Sequence, residues 1–283
     1  MIKRVAVIGS GTMGAQIALQ TALSGRHQVI LMDSAPDQLE KARAQIQAIL
    51  DRRVSQDRLT AADASAAWDR IQMGTDLAAS VQGADLVIEA IVENLQAKQD
   101  VFKAVDQAAP AKAIPTSNSS SIAISRLAPV TNRPDRCCNL HFFHPVTVMD
   151  LCEVVKGPRT SDSTIEAVME FVRRIGRTPV LIRKEAHGFI VNRVVFAALE
   201  EALRLLEGGY AEVADIDLAI KKGLNWPMGP FELLDFSGID IVYGAFVDRE
   251  LLGEGPPPSP LLKRMIDEGK LGRKSGSGFY EYS

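Results

Sequence analysis

Short apolar runs separated by longer amphipathic stretches fill the first two thirds of the chain. Val5-Ala-Val-Ile8, Val29-Ile-Leu-Met32 and Leu86-Val-Ile88 contain no polar residue. Such runs predict strands covered on both faces, as in a parallel sheet. Ala113–Thr116, Cys138–His141, Met149–Val155 and Val180–Ile182 read as further strands. The stretches between them carry apolar residues at helical spacing. One starts at Ala15, with Ile17, Ala18, Thr21 and Ala22 on one face. Others cover Asp37–Asp51, Ala61–Trp68, Leu95–Val105 and Thr164–Ile175. Strand and helix therefore alternate to about residue 185, which predicts an α/β domain with a mostly parallel sheet. The segment from Pro36 to Arg70 exceeds the single helix that a minimal crossover needs, so a helical pair is expected to project there.

After Gly188 the pattern is helical almost to the end. Phe189–Glu207 is one long helix, with Ile190, Val194, Ala197, Ala198 and Leu205 apolar and Gly208-Gly209 closing it. Val213–Lys222, Phe231–Leu252 and Leu261–Glu268 follow as helices, and Gly253–Pro260, with four prolines, is a loop. The tail Gly272–Tyr280 is too rich in glycine for a helix and is expected to fold back over other elements. Two domains result: residues 1–185, and an all-α domain of residues 186–283 that shapes the substrate cleft and carries dimerisation. A homodimer is expected on general grounds.

Composition adds little beyond exclusions. The 283 residues are 46% hydrophobic and 24% charged, ordinary for a chain that buries a core. A net charge of −3 gives no footprint for nucleic acid or an anionic membrane. The charge-free Val5–Gly25 is interrupted by Gly9-Ser-Gly-Thr12, Gln16 and Gln20, unlike a signal core or a membrane span. Cys137, Cys138 and Cys152 show no metal spacing, and their odd number predicts reduced thiols in the cytoplasm.

Chemistry enters at Gly9-Ser-Gly-Thr-Met-Gly14, which has the G-x-G-x-x-G spacing between the first strand and the first helix. A strand turning sharply into a helix aims free N–H groups and the positive end of the helix dipole at a pyrophosphate. Gly9 permits the turn, Gly11 clears the approach of the phosphates, and Gly14 lets helix and strand pack. Thr12 and Met13 complete the loop. Asp33 ends the second strand at the distance where a carboxylate accepts the ribose hydroxyls and repels the extra phosphate of NADP. The fold is Rossmann-like and the expected cofactor is NAD. The Asn118-Ser119-Ser120-Ser121 loop follows another strand end, where doubly wound sheets bind ligands. His141, with Glu153 on the neighbouring strand, supplies a base and a carboxylate able to fix its tautomer. A histidine suits removal of a hydroxyl proton because its unperturbed pKa is about 6.5. Lys41, Arg43, Arg52, Arg53 and Arg58 dot the helical pair. They are a solvated face or a landing place for a phosphate-bearing substrate.

The quoted segments, with Ile88-Glu-Ala-Ile-Val-Glu-Asn94, Ser117-Asn-Ser-Ser-Ser121, His141-Phe-Phe-His-Pro-Val146, Gly188-Phe-Ile-Val-Asn-Arg193, Gly229-Pro-Phe-Glu-Leu233 and Leu271-Gly-Arg-Lys-Ser-Gly276, run the length of the chain in one order. Together they resemble the L-3-hydroxyacyl-CoA dehydrogenases, the short bacterial 3-hydroxybutyryl-CoA dehydrogenases above all. The resemblance implies His141 as general base, Glu153 as its partner, and Ser120 and Asn192 as groups that hold the substrate. It implies NAD contacts at Glu93, Lys98, Ser120 and Lys274, with a solvated surface lysine as the plain alternative at Lys98 and Lys274. It also implies an acyl-CoA substrate, for which Arg52 and Arg53 are the candidate anion contacts. Two positions depart from the family pattern. His144 stands where asparagine is usual, near the cofactor, and His187 stands where proline is usual. Oxidation of a free 3-hydroxy acid, and NAD binding without turnover, are the competing readings.

Overall fold

A computed structural model describes residues 1–282. The chain forms two compact units, Met1–Phe189 and the residues from Ile190 onward. The division falls later than residue 185 because the intervening segment stays with the sheet. Gly188 N donates to the Ser120 carbonyl, and Phe189 packs with Val155 and Ile182.

The first unit is an eight-stranded sheet. Its strands are β1 (Arg4–Ile8), β2 (Gln28–Met32), β3 (Ile71–Gly74), β4 (Leu86–Glu89), β5 (Ile114–Ser117), β6 (Cys138–Phe142), β7 (Leu151–Val155) and β8 (Thr178–Ile182). The spatial order is β3-β2-β1-β4-β5-β6-β7-β8, parallel throughout except between β6 and β7. Alternation along β1 serves both faces. Val5 and Val7 join the core with α1 (Thr12–Leu23), α2 (Pro36–Ser55) and α6 (Asp162–Arg174), whereas Ala6 and Ile8 face α4 (Leu77–Val81) and α5 (Leu95–Ala108). The projecting pair is α2 with α3 (Ala61–Trp68). Strand β3 escapes the sequence pattern because it is a four-residue edge strand with no fully buried position.

The second unit contains α7 (Val191–Glu207), α8 (Val213–Leu224), α9 (Pro230–Ser237), α10 (Ile239–Leu251) and α11 (Pro260–Asp267) around Leu199, Leu203, Phe231, Leu234, Phe246 and Leu262. The single helix expected over Phe231–Leu252 is two, broken at Gly238, whose φ of +96° lies outside helical space. The tail folds back and is held by two buried carboxylates. Asp235 accepts from the amides of Phe279 and Tyr280 and from the Tyr282 hydroxyl, each at 2.9 Å. Asp217 accepts from the Phe231 and Glu232 amides and the Tyr280 hydroxyl. Among the described residues no helix is long and apolar enough to cross a membrane.

His27, at the entry to β2, is buried edge-on against Phe171, and neither ring nitrogen has a hydrogen-bond partner. Burial, then the Arg174 charge, pushes its pKa down, and the Ile2 backbone offsets this only in part. The native state therefore excludes a proton that the unfolded chain accepts, so stability falls as pH drops below about 6.5. We expect His27→Leu to lose less stability than the parent between pH 7.5 and pH 5.5, read as urea midpoints at the two pH values.

Candidate active site

Parallel strands deliver their carboxyl ends to one edge, and the loops leaving β1, β2, β4, β5 and β6 gather there. The turn from β1 into α1 is sterically tight at two of its three glycines. Gly9 has φ +98°, and a Cβ there would lie 2.6 Å from the Ala90 carbonyl oxygen. A Cβ on Gly14 would lie 1.8 Å from the Gly9 carbonyl oxygen. At Gly11, by contrast, a Cβ would meet nothing within 4 Å. The first intrahelical bond is Ala15 N to Gly11 O, so the amides of Thr12, Met13 and Gly14 have no helical acceptor. An open approach over a row of unpaired amides is what a dinucleotide pyrophosphate requires, and these residues fit NAD.

Asp33 holds this turn from the side. Its Oδ2 accepts from Ser10 N at 2.8 Å and Ser10 Oγ at 3.0 Å, and its Oδ1 accepts from Ala35 N at 3.1 Å. A carboxylate has about four acceptor positions, so ribose hydroxyls still find room.

The loops after β4 and β5 are joined by charge. Glu89 and Ser117 are register partners at the strand ends. Glu93 accepts hydrogen bonds from the Ser119 and Ser121 hydroxyls. Burial alone would raise the Glu93 carboxyl, but those hydroxyls and the Lys98 ammonium outweigh it and hold its pKa below the usual carboxylate range. Lys98 is not a solvated lysine. Its side chain is 1% exposed, and its ammonium is engaged by Glu89 and Glu93. Its charge suggests a solvated residue, yet helical spacing puts it on the buried face of α5 with Phe102 and Val105. Ser120 is half-buried, and its carbonyl accepts from Gly188 N at 3.2 Å.

The antiparallel step places His141 directly opposite Glu153. Leu140, Phe142, Cys152 and Val154 point into the main core, so alternation turns His141 and Glu153 to the other face. His141 Nδ1 lies 2.8 Å from Glu153 Oε2, with the histidine 8% and the glutamate 1% exposed. The rings of Phe143 and Phe189 stand 4.5 and 5.6 Å from the imidazole centre, giving the pair apolar walls. Asn118 Oδ1 accepts from Phe142 N, which ties the serine loop to the histidine strand.

The remaining expected site residues of the first unit sit on the loop after β6 and on α2. His144 is exposed in the loop after β6. Val146 in that loop is clamped: its amide donates to Gln16, and Arg177 donates to its carbonyl. Arg53 is not a free landing place. Its Nη2 donates to the Thr147 carbonyl at 2.6 Å, fastening α2 to the same loop, whereas Arg52 is exposed. In the second unit Asn192 sits in the first turn of α7, and Lys274 is exposed and paired with Asp240.

A glycine cradle and a buried histidine–carboxylate pair on one parallel-sheet edge place the chain among the dinucleotide-dependent dehydrogenases. Comparison with known proteins makes this specific. Residues 4–186 match the family described as 3-hydroxyacyl-CoA dehydrogenase, NAD binding domain, and residues 188–282 match its C-terminal domain. The chain belongs to the 3-hydroxyacyl-CoA dehydrogenase family and is an NAD-dependent enzyme of that activity. It is 44% identical to the human mitochondrial hydroxyacyl-coenzyme A dehydrogenase, covering 100% of this chain and 92% of that one. It is 41% identical to a probable 3-hydroxybutyryl-CoA dehydrogenase of Deinococcus radiodurans, over 98% and 99% of the two chains. The crystal structure of (S)-3-hydroxybutyryl-CoA dehydrogenase from Ralstonia eutropha superposes with a TM-score of 0.94 at 37% identity, covering 100% of both chains. Identity to the human enzyme thus exceeds that to these two bacterial ones, so kinship with the bacterial short-chain enzymes is not the nearer one by this measure.

The glycines separate two roles experimentally. We expect Gly11→Ala to keep the parent's thermal midpoint while weakening NADH binding by about tenfold or more, as a methyl group enters the phosphate approach. Gly14→Ala should lower the midpoint as well, because β1 and α1 can no longer close. Calorimetric titration with NADH beside a thermal melt checks both.

Proposed function

We propose that the enzyme interconverts short-chain (S)-3-hydroxyacyl-CoA, 3-hydroxybutyryl-CoA in particular, with the corresponding 3-oxoacyl-CoA, and that His141 is its base. The observation that carries this reading is the buried 2.8 Å contact between His141 Nδ1 and Glu153 Oε2. The carboxylate accepts a hydrogen bond from Nδ1–H, which leaves the Nε2 lone pair to take the proton of the substrate hydroxyl. Glu153 then stabilises the imidazolium, and in the reverse direction Nε2 returns the proton to the carbonyl oxygen. NAD, when bound, supplies the two-electron acceptor for the carbinol carbon. Its pyrophosphate belongs over Gly9–Gly14, its ribose at Asp33, and its remaining contacts at Glu93, Ser120, His144 and Lys274. Lys98 serves that site from behind Glu93.

Ser120 and Asn192 hold the thioester arm, which lowers the barrier by removing rotational freedom before reaction. Arg52 offers an exposed guanidinium to the phosphates of the CoA handle. Arg53, with donors left beyond its Thr147 contact, stands beside it. A homodimer through the second unit is supported by exposed apolar side chains there, among them Leu224, Ile241 and Leu251.

We expect His141→Ala to retain the fold and NADH affinity while kcat falls by about 10²–10⁴, the usual contribution of a general base. Unchanged turnover would reject the assignment. Substrate class is tested by NADH oxidation with acetoacetyl-CoA, with free acetoacetate, and with neither. The CoA ester should exceed the free acid by about 100-fold or more in kcat/KM, because binding of the remote handle is used at the reacting carbon. Equal rates would favour a free-acid dehydrogenase, and no turnover a non-catalytic NAD-binding protein.

A further inference from the structure

Apart from the contact of His141 with Glu153, the first unit buries an ion pair at the end of β4. Glu89 ends β4, Lys98 lies in the first turn of α5, and both side chains are 1% exposed. Lys98 Nζ donates to Glu89 Oε1 at 2.6 Å and to the Ile91 carbonyl at 3.3 Å, and lies 3.2 Å from Glu93 Oε2. Glu89 also accepts from Ile91 N at 2.8 Å and from Ser117 Oγ at 2.6 Å. Removing two charges from water is unfavourable, and apolar residues of similar volume commonly give equal or greater stability. Stability alone therefore does not explain the pair.

Its connections do. Glu89 grips the first residue of the Ser117–Ser121 segment. Lys98 grips Glu93, which receives the hydroxyls of Ser119 and Ser121. Three of the four serine hydroxyls in that segment are thus engaged from below. The Ser120 hydroxyl has no partner among the described residues, and its backbone carbonyl is fixed by Gly188 N. A segment pinned on both sides of one unengaged hydroxyl is built to present that hydroxyl in a single direction.

We propose that Glu89 and Lys98 are positioning residues for the reaction: their buried ion pair sets the Glu93 carboxylate and the Ser117–Ser121 loop, and through them the direction of the Ser120 hydroxyl. This rests on the reading of Ser120 as a ligand contact. Neither Glu89 nor Lys98 has to touch the ligand. Both act through groups that do.

The test is a mutant cycle with Ser120→Ala. Glu89→Gln alone would leave the buried Lys98 ammonium short of one carboxylate and mix that cost with any loss of positioning, so the pair is replaced together as Glu89→Gln/Lys98→Met. Ser117→Ala, which removes the hydroxyl's bonds to Glu89 and to the Ser119 amide and leaves the ion pair, is run in parallel as the milder lesion and decides the matter should the double variant not fold. We expect the double variant to lose about 10- to 100-fold in kcat and about tenfold in NADH affinity, the scale of a small misplacement. Ser117→Ala should move both in the same direction by less. In either background Ser120→Ala should lower kcat by under about threefold, far less than in the parent, because a misdirected hydroxyl has little left to lose. Penalties that multiply, or an NADH dissociation constant equal to the parent's in both backgrounds, overturn the proposal. A different failure is separable: if Ser120→Ala alone leaves kcat unchanged, the reading of Ser120 falls first, in a variant where Glu89 and Lys98 are intact, and the positioning role falls with it.

Discussion

The antiparallel pairing of β6 with β7 is the one reversal in an otherwise parallel sheet, and it sets His141 against Glu153. Parallel neighbours also align side chains, but here a strand running back from outside the ligand edge offers its carboxylate to a histidine near the edge. The carboxylate is buried, and the imidazole is nearly so. In such surroundings the contact holds the ring in one orientation. The remainder of the edge is arranged around that ring. The turn after β1, the acid after β2 and the serine loop after β5 are all carried by rigid strands rather than long loops, which favours precision.

Much of this was legible in the sequence because burial on both faces leaves an uninterrupted apolar run. Strands β1, β2 and β4 announce themselves that way. The edge strand β3 does not, since Ile71-Gln-Met-Gly74 is only partly covered and has neither a clean alternation nor a continuous run. The break at Gly238 was hidden for the opposite reason: the residues on both sides are good helix material, and one backbone angle divides them. At the ligand edge, placements that follow from local sequence were readable, namely the glycine turn, Asp33 at the end of β2, and the histidine with its cross-strand glutamate. Residues that act through burial were not. Lys98 reads as surface only from its charge, since helical spacing sets it with Phe102 and Val105, and Arg53 reads as a free cation although a carbonyl ninety-four positions away accepts from it. Glu89 left one faint signal, an acid closing the apolar run Leu86-Val-Ile88. The sequence has no means of pairing it with a lysine in the following helix.

Buried carboxylates are met in two ways. In the first, Glu89 meets a cation. In the second, Asp217 and Asp235 meet backbone amides and tyrosine hydroxyls. Burial raises Asp217 despite those donors, and burial followed by the Asp217 contact pushes the Tyr280 phenol well above its ordinary range. The second arrangement needs no counter-ion and fastens a glycine-rich strip that has few apolar side chains of its own. Space as well as bonding enforces it, because a Cβ at Gly278 would fall 2.1 Å from Asp235 Oδ1.

Asp33 carries a constraint for coenzyme engineering. The same oxygen, Oδ2, receives both the amide and the hydroxyl of Ser10, inside the glycine turn. Replacing the acid to admit a 2′-phosphate therefore also unties the turn that cradles the pyrophosphate. A redesign toward the phosphorylated coenzyme has to supply Ser10 with a substitute acceptor, such as an asparagine carbonyl, before a new cation is added. With Asp33 read as the ribose acid, preference and grip fall to one side chain and call for two coordinated moves.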